Sequence, residues 1–368
     1  MSDADLFAWA RGFEDYELSP VFQPNTHRVR YRLRALADRT FVKRRAAASF
    51  LAGVGLSDFT WSMVWHDEGE TSPELLPEVL AQAEGFVIFL HGWDGSHLIW
   101  EDMPEAVVNR HPRLVAFVLD HNGFGGSSFV DETPDVQICN PPAAMRVAEG
   151  WLSLMRLRGP MDAPAKRVIN FVGHSMGGAT LFYLDPAAWR LHEYTRCALA
   201  PALLLEDELH RAFYQALGLG IGLLNRLPDL ALLDRLDEVL TPAFVKILAG
   251  GASSFVQSVH ETVYMTTPKG VIARTFAAMG VLDQVPSGCD WRHFRVALGE
   301  ADRLVGLEPQ LSLLQRLAVP GEKIRVRGGD HYFFSVGDDT QPVHAPNRQI
   351  VIEDILDLHD TAVHSLNS

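Results

Sequence analysis

Gly173-His174-Ser175-Met176-Gly177 lies between a short apolar run, Ile169-Asn170-Phe171-Val172, and a helical stretch, Gly178 to Tyr183, that stops at Asp185-Pro186. A chain passing from strand to helix through so sharp a turn puts its central residue in a strained backbone conformation. Glycines two before and two after that residue relieve the crowding a Cβ would create. The product is a serine hydroxyl exposed at a helix N-terminus, where free N–H groups favour developing negative charge. The feature demands strand feeding helix and marks Ser175 as a candidate nucleophile.

The surrounding text fits an α/β chain. Phe59–Trp65, Gly85–Leu90, Leu114–Leu119 and Val168–Val172 read as strands separated by helical segments. Continuous apolar runs of this length suit strands buried on both faces, as in a parallel sheet flanked by helices. Cys197–Leu205 reads as the strand after the serine helix. The alternation then stops. Residues 206–290 carry helix-like text, including Leu227–Leu240 with leucines at helical spacing and a Gly250-Gly251 turn, and strand text resumes at Phe294–Leu298 and Lys323–Val326. This predicts an α/β core over 56–205 and 291–368, a helical lid over 206–290 inserted after the strand that follows the serine helix, and an N-terminal extension over 1–55. Within that extension His27–Leu36 alternates like a half-exposed strand and Thr40–Leu51 looks helical.

With 368 residues, 47% hydrophobic and 21% charged, the chain is large enough for one such domain with an insertion. A net charge of −14 argues against nucleic acid or an anionic membrane as the main partner. Arg28 to Arg45 runs the other way, with seven arginines and Lys43 against Asp38. It reads as a solvated face, with an anionic-lipid or partner contact as the alternative. Cys139, Cys197 and Cys289 imply no disulfide framework, and no metal-ligand spacing occurs, so neither metal nor organic cofactor is expected. Gly218-Leu219-Gly220-Ile221-Gly222 has the wrong spacing for a dinucleotide fingerprint. The acidic start lacks a signal-peptide pattern and no apolar stretch is long enough to span a bilayer, so the expectation is a soluble, cytoplasmic protein. Nothing speaks to oligomeric state.

Further motifs lie at the strand ends: His91-Gly92-Trp93-Asp94-Gly95-Ser96, Asp120-His121-Asn122-Gly123-Phe124-Gly125-Gly126-Ser127, Gly299-Glu300-Ala301-Asp302-Arg303-Leu304-Val305 and Gly328-Gly329-Asp330-His331-Tyr332. In this order, with the serine turn, they resemble the α/β-hydrolase family over roughly Phe59 to His359. The resemblance implies a mostly parallel central sheet flanked by helices and a Ser175–Asp302–His331 triad. It also implies an oxyanion hole made by the backbone N–H groups of Trp93 and Met176. A serine hydroxyl needs an adjacent imidazole to take its proton, and that imidazole needs a carboxylate to fix its tautomer.

Glu300 and Asp283 are alternatives for the acid. Asp330 reads as solvated or turn-supporting, and His344, His359 and His364 follow the last strand. His91 and His174 read as loop supports. Trp93, Phe124 and Tyr332 are candidates to line a substrate pocket, whereas Trp100 and Tyr332 fit ordinary packing equally well. Family members that are haloalkane dehalogenases or epoxide hydrolases carry aspartate at the elbow, and Ser175 argues against both. The reading is a serine hydrolase that cleaves a carboxylic ester of a small lipophilic molecule through an acyl-enzyme. Thioesterase, lactonase or acyltransferase chemistry are the alternatives, with amide or C–C hydrolysis and a non-catalytic binding protein further off.

Overall fold

Successive residues of Leu114–Asp120 enter opposite cores. Val115, Phe117 and Leu119 pack on one side of the sheet, and Leu114, Ala116 and Val118 on the other. Phe86, Ile88 and Leu90 are divided from Val87 and Phe89 in the same way. Side chains of a strand alternate between faces, so an uninterrupted apolar run is what a strand covered on both faces requires.

The structure, a computed structural model, describes residues 16–18, 23–34, 44–67, 76–157, 167–185, 189, 193–203, 208, 212, 215–216, 218–220, 241–242, 245–279, 285 and 290–367. Its strands are β1 (Tyr16–Leu18), β2 (Thr26–Arg34), β3 (Leu56–His66), β4 (Gly85–Leu90), β5 (Leu114–Asp120), β6 (Ser128–Phe129), β7 (Val168–His174), β8 (Tyr194–Leu199), β9 (Phe294–Gly299) and β10 (Ile324–Arg327). They form one sheet in the order β1-β2-β3-β5-β4-β7-β8-β9-β10, with β6 on β3. From β5 through β10 every pairing in that order is parallel, while β1, β2 and β3 join antiparallel at one edge.

The helices for which bounds are established are α1 (Arg44–Val54), α2 (Leu76–Gln82), α3 (Met103–Arg110), α4 (Pro141–Leu154), α5 (Met176–Thr180), α6 (Ser254–Thr266), α7 (Lys269–Met279), α8 (Leu307–Arg316) and α9 (His344–Asn367). One face of the sheet is covered through Leu51 of α1, Trp151 of α4 and Leu314 of α8. The other is covered through Met103 and Val107 of α3 and Val351 and Ile355 of α9. α4 begins where Asn140 accepts a hydrogen bond from the Ala143 N–H and Pro141 enters the first turn.

Two elements depart from the sequence reading. β8 starts at Tyr194 and ends at Leu199, not at Leu205, because Ala200 takes a left-handed φ of 42° and Pro201 follows. That turn brings the Ala202 N–H onto the Ser175 carbonyl at 2.9 Å. The N-terminal basic segment is a solvated face only in part: of its described side chains Arg34 is exposed and Arg30 and Arg32 are half-buried, whereas Arg28 is not at the surface. Arg28 is fully buried, with Nη2 donating to Glu105 Oε2 at 2.8 Å and Nε 2.7 Å from Oε1. Arg30 reaches Asp120 at 3.3 Å, and Arg32 and Arg34 both reach Asp58. β2 pairs with β3 along its whole length, which joins residues 26–34 to the sheet. Arg39 and Lys43 lie outside the described residues.

Between β8 and β9 the described residues contain helix and no strand: helical residues at 208, 212, 215–216, 218–220 and 241–242, a short helical segment at 245–249, then α6 and α7. Leu227–Leu240 lies outside the described residues. Among those described, no helix is long and apolar enough to cross a membrane.

Burial pushes the Glu105 carboxyl up, against the pull of Arg28. Removing one partner of such a pair leaves an uncompensated charge, whereas replacing both with apolar groups can be neutral. Arg28→Met is expected to cost about 3–5 kcal/mol in urea unfolding, and Arg28→Met with Glu105→Leu to recover most of that loss.

Candidate active site

The loops that leave the C-terminal ends of β4, β5, β7, β9 and β10 converge where open α/β sheets collect their ligands. Ser175 follows β7 at φ 54° and ψ −115°, outside the favoured regions for a residue with a Cβ. The flanking glycines permit it. A Cβ on Gly173 would sit 2.3 Å from the Gly177 carbonyl oxygen, and one on Gly177 would sit 2.2 Å from the Leu90 oxygen. The turn is pinned by Ser175 N–H donating to Leu199 O at 2.9 Å and Ala179 N–H donating to Ser175 O at 2.8 Å. The helix beyond is short: α5 gives way to a 3-10 turn at Leu181–Tyr183.

Asp302 follows β9 and His331 follows β10, and the two meet. His331 Nδ1–H donates to Asp302 Oδ2 at 2.8 Å. Asp302 Oδ1 accepts from the backbone N–H groups of Leu304 and Val305 at 2.9 and 3.2 Å. Burial pushes the Asp302 carboxyl up, but His331 and these amides outweigh it and hold the group below its ordinary value. With Nδ1 carrying the proton, His331 Nε2 is a lone pair; it is buried and has no hydrogen-bond partner among the described residues. Glu300 is exposed. Asp330 accepts from the Tyr332 N–H at 2.9 Å and so supports the turn. Asp283 lies outside the described residues.

Ser175, His331, Trp93 and Tyr332 line one cavity, whose free space of about 20 Å³ is room for a single water. Leu248, His260 and Met279 close it from the helical insertion. A Cβ on Gly92 would come within 3.0 Å of Ser175 Cβ, so the loop carrying the Trp93 amide lies against the serine. The Met176 N–H begins α5 and is left over by the helical ladder. Trp93 is tied to α7 by its indole N–H, which donates to Thr275 Oγ1 at 2.9 Å, and by an edge contact with Phe276 at 4.6 Å. Phe124 is not among the residues lining this cavity. It packs behind Trp93, edge-on at 6.0 Å. Trp100 lies between Phe89 and Phe334 in the core.

Two neutral histidines hold the loops. His91 Nδ1–H donates to Gly92 O at 2.6 Å while Nε2 accepts from the His121 N–H at 3.0 Å; burial lowers its pKa to about 4. His174 Nε2–H donates to the His331 carbonyl at 3.0 Å and its ring packs on Tyr332 at 4.4 Å, with burial lowering its pKa well below the ordinary value.

A second polar group stands in the same wall, and the sequence reading missed it. His260 Nε2 and Tyr332 Oη are 2.6 Å apart, and Asp94 Oδ2 lies 3.7 Å from His260 Nδ1. All three residues are buried. The available signal was a histidine on the apolar face of a helix, between Val256, Val259 and Val263.

Glu84, His111 and His359, at the opposite end of the strands, place potential ligand atoms within 4.8 Å of one another. They do not suit a cation. The Asn170 amide, fixed by Phe86 O and the Thr195 hydroxyl, donates to His359 Nδ1, so the neutral ring carries its proton on Nε2 and has no lone pair to give. Glu84 is also taken by Arg113 at 2.5 Å.

The profile of the Alpha/beta hydrolase family matches residues 87–344. The chain belongs to that family. Solved structures share the fold at low identity. The chain is similar to a thermophilic esterase from Thermogutta terrifontis (14% identity, 82% of this chain and 95% of that one, TM-score 0.51). It is likewise similar to epoxide hydrolase I of potato, Solanum tuberosum (12%, 84% and 97%, 0.52). A bromoperoxidase from Bacillus anthracis matches at 16% over 83% and 97%, with a TM-score of 0.53. A search of curated protein sequences found no match.

The loop after β5 is organised by Asp120, which accepts from the His97 N–H at 2.6 Å, Thr60 Oγ1 at 2.8 Å and the Gly126 N–H at 2.9 Å. Burial opposes its charge, but His97 and Arg30 hold the carboxyl far below its ordinary value of 3.8. The stability it supplies is therefore present above that value and lost as pH falls through and below it. Asp120→Asn is expected to lower the urea midpoint at pH 7 and to flatten its decline between about pH 5 and pH 3. An unchanged pH profile would remove this carboxylate from the acid sensitivity of the fold.

Proposed function

We propose that the chain is a serine hydrolase that cleaves carboxylic esters through an acyl-enzyme on Ser175. The observation that carries the reading is the pairing of His331 Nδ1 with Asp302 at 2.8 Å, which leaves His331 Nε2 as an unpartnered lone pair in the cavity that Ser175 lines. The hydrolase family and the esterase among its structural neighbours support it; an epoxide hydrolase shares the fold, but Ser175 favours acyl chemistry.

In this reading Ser175 Oγ attacks the carbonyl carbon and its proton passes to His331 Nε2. Asp302 stabilises the imidazolium without taking the proton. The carbonyl oxygen becomes an oxyanion and accepts from the Met176 and Trp93 backbone N–H groups, a contribution that is commonly the largest single one in acyl transfer. Collapse expels the alcohol, which leaves with the proton from His331. Water then repeats the sequence, giving the acid and restoring Ser175. Ser175 and His331 are not hydrogen-bonded here, and the bond closes as the insertion gives way to admit the ester, since such contacts tighten on binding.

Leu248, Met279, Leu304 and Val305 give the cavity an apolar wall that suits a lipophilic ester body. In this reading the described stretch 245–279 of the insertion, which brings Leu248, His260 and Met279 to the cavity, is a lid that excludes water and shapes substrate choice. A thioester, a lactone or acyl transfer to an alcohol would use the same groups, and a substrate screen separates them.

Ser175→Ala is expected to lower kcat by about 10⁴-fold or more with the fold intact. Mass spectrometry after fluorophosphonate treatment should place the adduct on Ser175; full activity in the alanine variant, or an adduct elsewhere, would sink the assignment. Asp302→Asn should cripple turnover by favouring the wrong imidazole tautomer.

Leu248→Ala and Met279→Ala widen the wall facing the cavity. They are expected to move the kcat/KM optimum toward longer acyl chains across a series from acetyl to decanoyl esters. Equal changes on every ester would make the helices structural only.

A further inference from the structure

Ester hydrolysis by Ser175 and His331 makes no use of the His260–Tyr332 pair in the cavity wall, nor of Asp94, which lies next to His260 and does not line the cavity. Asp94 is fully buried at a left-handed φ of 57°, and neither of its carboxylate oxygens has a hydrogen-bond partner among the described residues. Its contacts are electrostatic: His260 Nδ1 at 3.7 Å and the charge of Lys269. His260, also buried, has no hydrogen-bond partner at Nδ1 and meets the Tyr332 hydroxyl at Nε2, 2.6 Å away. A buried carboxylate left this poorly satisfied is costly to stability, and such costs concentrate at functional sites.

The proton positions follow from the chain of groups. Asp94 is an acceptor and attracts the His260 proton to Nδ1, the nitrogen that faces it. Nε2 is then the lone pair that accepts a hydrogen bond from the Tyr332 hydroxyl. Tyr332 has spent its only donor on His260, and what its oxygen has left is acceptor capacity. A fatty acyl chain has nothing to offer such an oxygen, and a keto group presents another acceptor. A hydroxyl fits.

Resting on the reading of Ser175 as nucleophile, we propose that Tyr332, held by His260 and Asp94, is a specificity-determining residue that accepts a hydrogen bond from a substrate hydroxyl close to the scissile carbonyl, which makes hydroxy-substituted esters the favoured class. His260 and Asp94 are positioning residues that fix the direction in which the tyrosine hydroxyl points.

The test compares kcat/KM on matched esters, each divided by its rate of alkaline hydrolysis to remove intrinsic reactivity. One arm places the hydroxyl in the acyl part (p-nitrophenyl 3-hydroxybutyrate against p-nitrophenyl butyrate and acetoacetate). The other places it in the alcohol part (2-hydroxyethyl butyrate against propyl butyrate). The wild-type protein is expected to favour the hydroxylated ester about fivefold to tenfold in one arm, the size of one net hydrogen bond, and that arm locates the hydroxyl. Tyr332→Phe should bring the ratio to about one, and His260→Leu should reduce it, because an unheld tyrosine hydroxyl can turn its proton toward the substrate.

A wild-type ratio near one in both arms, a preference for the keto ester, or a ratio unchanged in Tyr332→Phe overturns the inference. So does an equal loss on every ester in both variants, which marks a structural role. Turnover of no ester while fluorophosphonate still labels Ser175 also overturns it and leaves the nucleophile standing. Failure of Ser175 to label overturns the reading beneath it.

Discussion

Three backbone segments touch at the elbow with no room for a side chain between them. Gly173 at the end of β7, Gly177 in α5 and the Leu90 carbonyl at the end of β4 approach so closely that a single Cβ would collide with main-chain oxygen. That contact sets the spacing of β4 and β7 at their C-terminal ends and brings the Gly92 loop onto Ser175. It also forces Ser175 to φ 54°, a strain held by the Leu199 and Ala179 hydrogen bonds on either side of it. The backbone of the serine is flanked by main-chain contacts, and backbone repacks far less readily than side chains.

The remaining loops are held by buried charge. Asp120 draws together the β3 edge through Thr60, the loop after β4 through His97 and its own loop through Gly126. Arg30 of β2 completes the charge balance. The antiparallel edge strands thus do more than extend the sheet: Arg28 neutralises Glu105 of α3 and Arg30 helps neutralise Asp120. A basic stretch that looks surface-like in one dimension is threaded along acidic groups of the sheet and its covering helix.

Much of this was legible in the sequence, and the failures have physical causes. The bounds of β4 match the reading, and β5 and β7 extend only one or two residues past it, because a strand covered on both faces leaves an uninterrupted apolar word. β8 was read too long because Ala202 to Leu205 are as apolar as the strand before them; hydropathy does not register the left-handed turn at Ala200. The pairing of Arg28 with Glu105 and of Arg30 with Asp120 is not legible, because those partners are distant in the chain and local charge density carries no sign of them, whereas Arg32 and Arg34 keep the surface position that density suggests. The candidate triad was visible through motifs at strand ends. His260 and Asp94 were not, since each sits in a context, an apolar helix face and a loop behind Trp93, that ordinary packing explains equally well.

Glu101 shows how the wall over the site is fixed relative to the histidine loop. Its Oε1 accepts from the Ser253 hydroxyl at 2.6 Å, and Ser253 in turn caps α6, the helix that carries His260. Its Oε2 accepts from the Val336 N–H at 2.9 Å, five residues beyond His331, and pairs with Arg348 of α9 at 3.3 Å. One carboxylate therefore sets where α6 begins and where the His331 loop ends. The Trp93–Thr275 bond does the same for α7 and the loop against Ser175. Displacing α6 from the cavity breaks its buried hydrogen bond to the Glu101 carboxylate, worth roughly 1.5–3 kcal/mol, and displacing α7 breaks the neutral Trp93–Thr275 bond, worth roughly 0.5–1.5 kcal/mol. α6 and α7 accordingly sit beside the cavity, where their side chains shape the space above Ser175 and His260 meets Tyr332 and Asp94.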